Sequence, residues 1–155
     1  MSTKTSALNE KLERLDLLPP VVIEEDASYG QALDAMRRAK RGSVLICKSE
    51  KLTGIFTERD VLNRCLLEKT ALSTPIRKLM TPSPATARPE STLGEAVELM
   101  HEKGARNIPI VDSKGRPKGL LTVGAVIRYL ADHYPTEVVN LPPVLHQTTR
   151  DTEGA

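Results

Sequence analysis

Four consecutive residues, Thr57-Glu58-Arg59-Asp60, carry groups suited to gripping a phosphorylated sugar. Thr57 stands where a helix should begin and offers its hydroxyl as an N-cap. Behind such a cap the first backbone N–H groups lack partners within the helix. Those of Glu58, Arg59 and Asp60 therefore face outward at the positive end of the helix dipole, an anion site suited to phosphate. Asp60 lies one turn on from Thr57, where its carboxylate can accept both hydroxyls of a ribose. Charge-assisted hydrogen bonds of that kind contribute roughly 1.5–3 kcal/mol each. Gly54 lets the preceding strand approach a ligand with no side chain between. Each residue also has a plainer role: a helix cap for Thr57, a dipole-favoured carboxylate for Asp60, a solvated cation for Arg59.

The elements that must position this turn come in two copies. Shifting the chain by 64 brings Pro20 onto Pro84, Gly30 onto Gly94, Met36 onto Met100 and Ile46 onto Ile110. After one extra loop residue the shift is 65, and Gly54 meets Gly119, Thr57 meets Thr122 and Val61 meets Val126. Each copy opens on a short apolar stretch, Val21–Ile23 or Ala85–Ala87. Capping residues follow, Asp26 and Ser28 or Glu90 and Thr92. A helix then shows one buried face, Ala32, Leu33, Met36 and Ala39, or Leu93, Ala96, Val97 and Met100. Two β-rich runs come next, 43–47 with 54–56 and 107–111 with 119–121, joined by polar turns. A second helix carries Val61, Leu62, Cys65 and Leu66, or Val126, Ile127, Leu130 and Ala131. Each β-α-β-β-α unit is too small to bury a full core alone, so two must pack together.

The expected fold class is therefore α+β, a pseudo-symmetric pair of repeats at 19–67 and 84–133. An amphipathic helix is expected over residues 5–18 within an N-terminal segment 1–18, with Leu8, Leu12, Leu15 and Leu18 on one side. The linker 68–83 should hold a short helix after Pro75. The tail 134–155, with Pro142-Pro143, reads as extended.

Composition narrows the function. The 155 residues carry 22 basic and 20 acidic side chains, a formal charge of +2, and 3% aromatics. Near-balanced charge and few stacking rings argue against nucleic acid as a partner. No apolar run approaches the ~18 residues of a membrane span, and the first residues do not read as a secretory signal. No membrane partner is expected, and the cytoplasm is the expected compartment. Cys47 and Cys65 then read as reduced core thiols. His101, His133 and His146 are too scattered for a metal site, so no metal is expected. No nucleophile trio or phosphate-binding loop of the GxxxxGK[ST] type is found, which leaves no catalytic residues to name.

"GIFTERDV", Gly54 to Val61, resembles the signature that closes a CBS domain, and 79–122 resembles nearly a whole second copy. Residues 19 to 133 are thus similar to a tandem CBS pair, a Bateman module. The resemblance implies AMP, ADP, ATP or a related adenosine ligand, with S-adenosylmethionine and NAD-type ligands open and no cofactor required. It also implies a homodimer, a regulatory role toward some protein, and no catalysis. The site it implies comprises Gly54, Ile55, Phe56, Thr57, Arg59 and Asp60. The partner copy completes it, with Ala85 to Ala87 at the base and Arg106 and Asn107 at the phosphate. The second copy departs from the pattern: Ala125 stands where the first has Asp60. Its completing residues, Val21–Ile23, Gly42 and Ser43, offer no charge, so that pocket should be weak or empty. A ligand-free scaffold for dimerisation or protein interaction is the alternative.

Overall fold

The structure is a computed structural model that describes residues 7–133. The chain divides after Val123 into two compact units. The first holds two sheets. In one, β1 (Val22–Glu24) runs parallel to β2 (Ser43–Lys48), which pairs antiparallel with β3 (Lys51–Thr57), and β3 with the short β4 (Thr81–Pro82). The other is the hairpin of β5 (Asn107–Val111) and β6 (Pro117–Thr122). The β2–β3 turn holds Ser49 and Glu50 at φ 50° and 70°, the doubly left-handed geometry that suits strand twist.

Strand β2 is apolar on both faces because both are covered. Val44 and Ile46 join Tyr29, Ala32, Met36, Phe56, Cys65 and Ile76 in one buried cluster, while Leu45 meets Ile55 of its own sheet and Leu120 of the other. Helix α1 (Tyr29–Ala39) covers the first cluster; Ala32 and Met36 are buried as the spacing predicts, but Ala39 is exposed. Its counterpart α3 (Leu93–Lys103) buries Leu93, Ala96 and Met100. Both helices start on capping boxes, Ser28 with Gln31 and Thr92 with Glu95, which satisfy two orphan donors at each start.

Three expectations are corrected. Residues 5–18 are not one continuous helix. Among the described residues, helix persists at 7–8, and Leu12–Arg14 then forms a single 3₁₀ turn. The reason is the repeat itself, which extends upstream at the same shift of 64. Leu12 N–H donates to Ser91 O as Ile76 N–H donates to Ala27 O, and Glu13 to Pro89 O as Arg77 to Glu25 O. Leu93 N–H donates to Glu10 O as Tyr29 N–H donates to Thr74 O. The N-terminal segment thus does for the second copy what the linker does for the first, and backbone spent on those bonds cannot close a helix. The linker's helix after Pro75 is a 3₁₀ turn, Ile76–Lys78.

Secondly, Ala85–Ala87 is not a strand. Only Ala87 forms a bridge, parallel to Ile110. Pro84 and Pro89 bracket this stretch and can donate to no ladder. Thirdly, α2 (Glu58–Asp60) continues as a π-helix over Val61–Cys65. The wider turn rotates Leu62 and Leu66 outward, to 62% and 58% exposure, and keeps Cys65 buried. Helix α4 (Val123–His133) lies, from Gly124 on, in the second unit; it has no fully buried residue, and Tyr129 stacks on His133. Residues 134–155, including the expected extended tail and His146, lie outside the described residues.

Candidate functional site

Strand β3 delivers Thr57 to the start of α2, and the turn closes on itself. Thr57 N–H donates to Asp60 Oδ2 at 2.9 Å, and the Thr57 hydroxyl donates to the same oxygen at 3.2 Å. Asp60 N–H donates back to Thr57 Oγ1 at 3.3 Å. The other carboxylate oxygen, Oδ1, accepts from Arg64 at 2.8 Å, and Arg64 also donates to Leu79 O. The Asp60 side chain is 14% exposed and Arg64 45%, so this ion pair is partly shielded from water.

These bonds correct the sequence expectation of three free N–H groups. Glu58 N–H donates to Gly42 O at 2.9 Å, and that of Asp60 is taken by Thr57. Of the three, only Arg59 is left for an anion. Positive charge must come from side chains.

Opposite this turn, α3 ends at Gly104, whose φ of 61° reverses the chain into Ala105, Arg106 and Asn107. A left-handed residue there is the ordinary way to stop a helix, and glycine adopts it without strain. The two walls enclose an open cleft of about 380 Å³, lined by Ile55, Thr57, Glu58, Arg59 and Asp60 on one side and Gly104 to Asn107 on the other, with Gly42 and Thr81. That volume lies within the roughly 300–1,000 Å³ of small-molecule sites.

Six of the ten residues named from sequence thus meet at one cleft: Ile55, Thr57, Arg59, Asp60, Arg106 and Asn107. Four do not line it. The space beside Gly54 is occupied by Met80; a Cβ there would lie 2.8 Å from Met80 Cγ and 3.0 Å from Thr81 O, so this glycine makes room for β4. Phe56 is fully buried, with its ring edge-on to Tyr29 at 5.9 Å. Ala87 spends its backbone on Pro109 and Val111, and Ala85 is half-buried and does not line the cleft.

Sequence reasoning missed Gly42, Thr81, Gly104 and Ala105, and counted Glu58 for its backbone N–H but not for its side chain. Gly42 had been placed at the second pocket instead. Glu58 and Gly104-Ala105 sit beside residues already singled out. Thr81 carries no local signal, because only the pairing of β4 with β3 brings it there.

Both cysteines are free and buried. Burial, reinforced by the charge of Glu24, pushes the Cys47 thiol up to about 11. A thiol so reluctant to ionise is a poor nucleophile. Among the described residues no His, Cys, Asp and Glu cluster could hold a metal ion. No helix among them is long and apolar enough to cross a membrane.

A helix, hairpin and helix used twice, with an opening strand in the first copy and a single bridge in the second, and with a cleft walled by the second-helix turn of one copy and the helix-to-strand turn of the other, define a paired-repeat architecture. The family is shown by comparison: the CBS domain model matches residues 15–66 and again 76–132, and the chain belongs to the CBS domain family, with two copies. The inosine-5'-monophosphate dehydrogenase of Aquifex aeolicus (strain VF5) is 32% identical over 121 residues, 77% of this chain and 24% of that enzyme. The chain thus spans about a quarter of that relative's length. An uncharacterized 17.7 kDa protein of Acidianus ambivalens is 24% identical over 79% of this chain and 74% of its own length. Among solved structures, CBSX2 of Arabidopsis thaliana in complex with AMP matches at 27% identity and a TM-score of 0.68, covering 79% of this chain and 96% of that one. The CBS domain protein PAE2072 from Pyrobaculum aerophilum, complexed with AMP, matches in fold at 19% identity and a TM-score of 0.72, covering 80% and 98%.

Proposed function

We propose that this chain is a non-catalytic regulatory module that senses an adenine nucleotide, AMP, ADP or ATP, in the cleft between its two repeats. The observation that carries this reading is the Thr57–Asp60 turn facing Arg106 and Asn107 across an open cleft. The AMP complexes of CBSX2 and PAE2072 support it from the same fold.

The acceptor count at Asp60 is compatible with a ribose. A carboxylate offers about four lone-pair positions. Three are used, two on Oδ2 by Thr57 and one on Oδ1 by Arg64. Turning the Thr57 hydroxyl toward a phosphate frees a second position, so each oxygen can accept one hydroxyl of the ribose while Arg64 stays in place. Arg59 and Arg106 supply the countercharge that the backbone N–H groups do not. Nucleotide would then favour one packing of the two copies, or of two subunits, over another, and that differential affinity is the regulatory signal. The exposed leucines Leu62, Leu66 and Leu67 suit a homodimer formed through helix faces.

A second reading, a ligand-free scaffold, draws on the same turn: Asp60 already has partners inside the protein. Titration calorimetry with AMP and ATP separates the two. One site per chain supports the nucleotide reading. No heat with either nucleotide leaves the scaffold, and two equal sites contradict the asymmetry between Asp60 and Ala125.

A further inference from the structure

Beside the cleft lies a second hollow, of about 360 Å³, lined by Met36, Arg37, Lys40, Arg41, Gly42 and Glu58. The two spaces share Gly42 and Glu58, and so adjoin there. The hollow is strongly basic because the run Arg37-Arg38-Ala39-Lys40-Arg41 spans the last turn of α1 and the two residues after it. Asp34 pairs with both Arg37 and Arg38, at 2.7 and 2.8 Å, and offsets one of their two charges. Arg41 donates to Pro19 O at 2.8 Å, a neutral partner that leaves its charge uncompensated. Among the described residues no ion pair engages Lys40, whose left-handed backbone (φ 56°) stands at the end of the helix. Across both spaces the lining cations are Arg37, Lys40, Arg41, Arg59 and Arg106, against the anions Glu58 and Asp60. A monophosphate held by Arg59 and Arg106 leaves Lys40 and Arg41 unmatched. Each further phosphate on the chain adds at least one negative charge in their direction.

We propose that this hollow seats the distal phosphates of a nucleoside oligophosphate whose ribose end occupies the cleft. Glu58 is then the specificity element. Its carboxylate lies over Gly42, where a Cβ would collide with it, and thus stands on the boundary between the two spaces. A phosphate chain must displace this exposed, flexible side chain, whereas a monophosphate need not. Gly42 matters for the same reason: any side chain there would narrow the passage.

The proposal rests on the nucleotide reading of the cleft, and one experiment separates the two. Calorimetry on the full chain compares AMP with ATP for wild type, the double variant K40A/R41A and the single variant Glu58→Gln, with circular dichroism confirming that each is folded. Two solvent-facing charge contacts, each worth up to about fivefold, make ATP roughly tenfold tighter than AMP in wild type. K40A/R41A should bring ATP to the AMP affinity and leave AMP unchanged. Glu58→Gln, which keeps size and removes charge, should tighten ATP more than AMP. If AMP binds and ATP gains nothing, or if K40A/R41A weakens both alike, the hollow has no such role. Should the Lys40 and Arg41 variant not fold, Glu58→Gln decides alone: equal effects on AMP and ATP overturn the proposal. If neither nucleotide binds, the reading of the cleft itself falls, and this one with it.

Discussion

Asp60 serves the fold and, as proposed, the ligand, and two substitutions pull these roles apart. For folding, its carboxylate caps Thr57 and pairs with Arg64. Losing an N-terminal capping interaction costs about 1 kcal/mol. The ion pair, with Asp60 14% and Arg64 45% exposed, is partly screened and adds up to about 1 kcal/mol. Asp60→Ala should therefore lower unfolding free energy by about 1–2 kcal/mol. Asp60→Asn keeps an oxygen to accept the Thr57 N–H and should lose about 1 kcal/mol or less. For binding, two charge-assisted bonds to a ribose are worth roughly 3–6 kcal/mol together, so Asp60→Ala should weaken AMP by about a hundredfold or more. Asn replaces one acceptor by a donor and removes the charge, and should still cost at least about tenfold. Urea denaturation followed by circular dichroism gives the first pair of numbers, and calorimetry with AMP on fully folded protein gives the second. If Asp60→Asn binds AMP within about threefold of wild type, the carboxylate does not hold the ligand and is a helix cap only.

Other consequences of the structure can be checked separately. Gly54→Ala forces a Cβ against Met80 and to 3.0 Å from Thr81 O, and should cost about 1–3 kcal/mol in urea melts by prising β4 from β3. A cost near zero would mean that β4 does not pack on Gly54. Leu12→Ala should cost about 2–5 kcal/mol, as for a core residue, because Leu12 is fully buried. A loosely attached N-terminal segment would instead give a small change. Stability should begin to fall near pH 8 and fall most steeply between about pH 9 and pH 11. Cys47, raised from 9.0 to about 11, and Tyr29, raised by burial and then by Cys65, keep protons that the unfolded chain releases in that window. Denaturation at pH 8 and pH 10.5 measures the slope, and Cys47→Ala should reduce it.

Short-range signals in the sequence were read more successfully than those that depend on pairing. Ser28 and Thr92 cap helices because the residue three places on completes a capping box, all within four residues. Thr57, Arg59 and Asp60 were legible for the same reason, being one helical turn. The cleft's far wall, Arg106 and Asn107, came from resemblance to a family rather than from spacing. Thr81 was invisible because it reaches the cleft through a two-residue strand. Residues 5–18 misled because leucines at helical intervals also suit a segment whose backbone is engaged by a neighbouring repeat. The signal that would have resolved it was present: at a shift of 64, Leu8, Leu12 and Leu15 fall on Leu72, Ile76 and Leu79. The π-helix after Asp60 left no trace in an apolar pattern that reads equally well as ordinary helix.

The duplication supplies an internal control on why Asp60 is present. In the first copy Glu58 N–H donates to Gly42 O, and in the second Val123 N–H donates to Arg106 O at the corresponding positions. Both turns lead from a threonine, Thr57 or Thr122, into a helix. Yet α4 begins with no acidic residue in its first turn, since Ala125 stands at the position of Asp60. The backbone frame therefore forms without a carboxylate at that place. A cap worth about 1 kcal/mol adds to the stability of the first copy but is no condition of its fold. What the carboxylate adds beyond a cap is a second negative charge, beside that of Glu58, in a cleft that also holds Arg59 and Arg106. That combination suits a ligand bearing hydroxyls at one end and phosphate at the other, and the fold alone does not call for it.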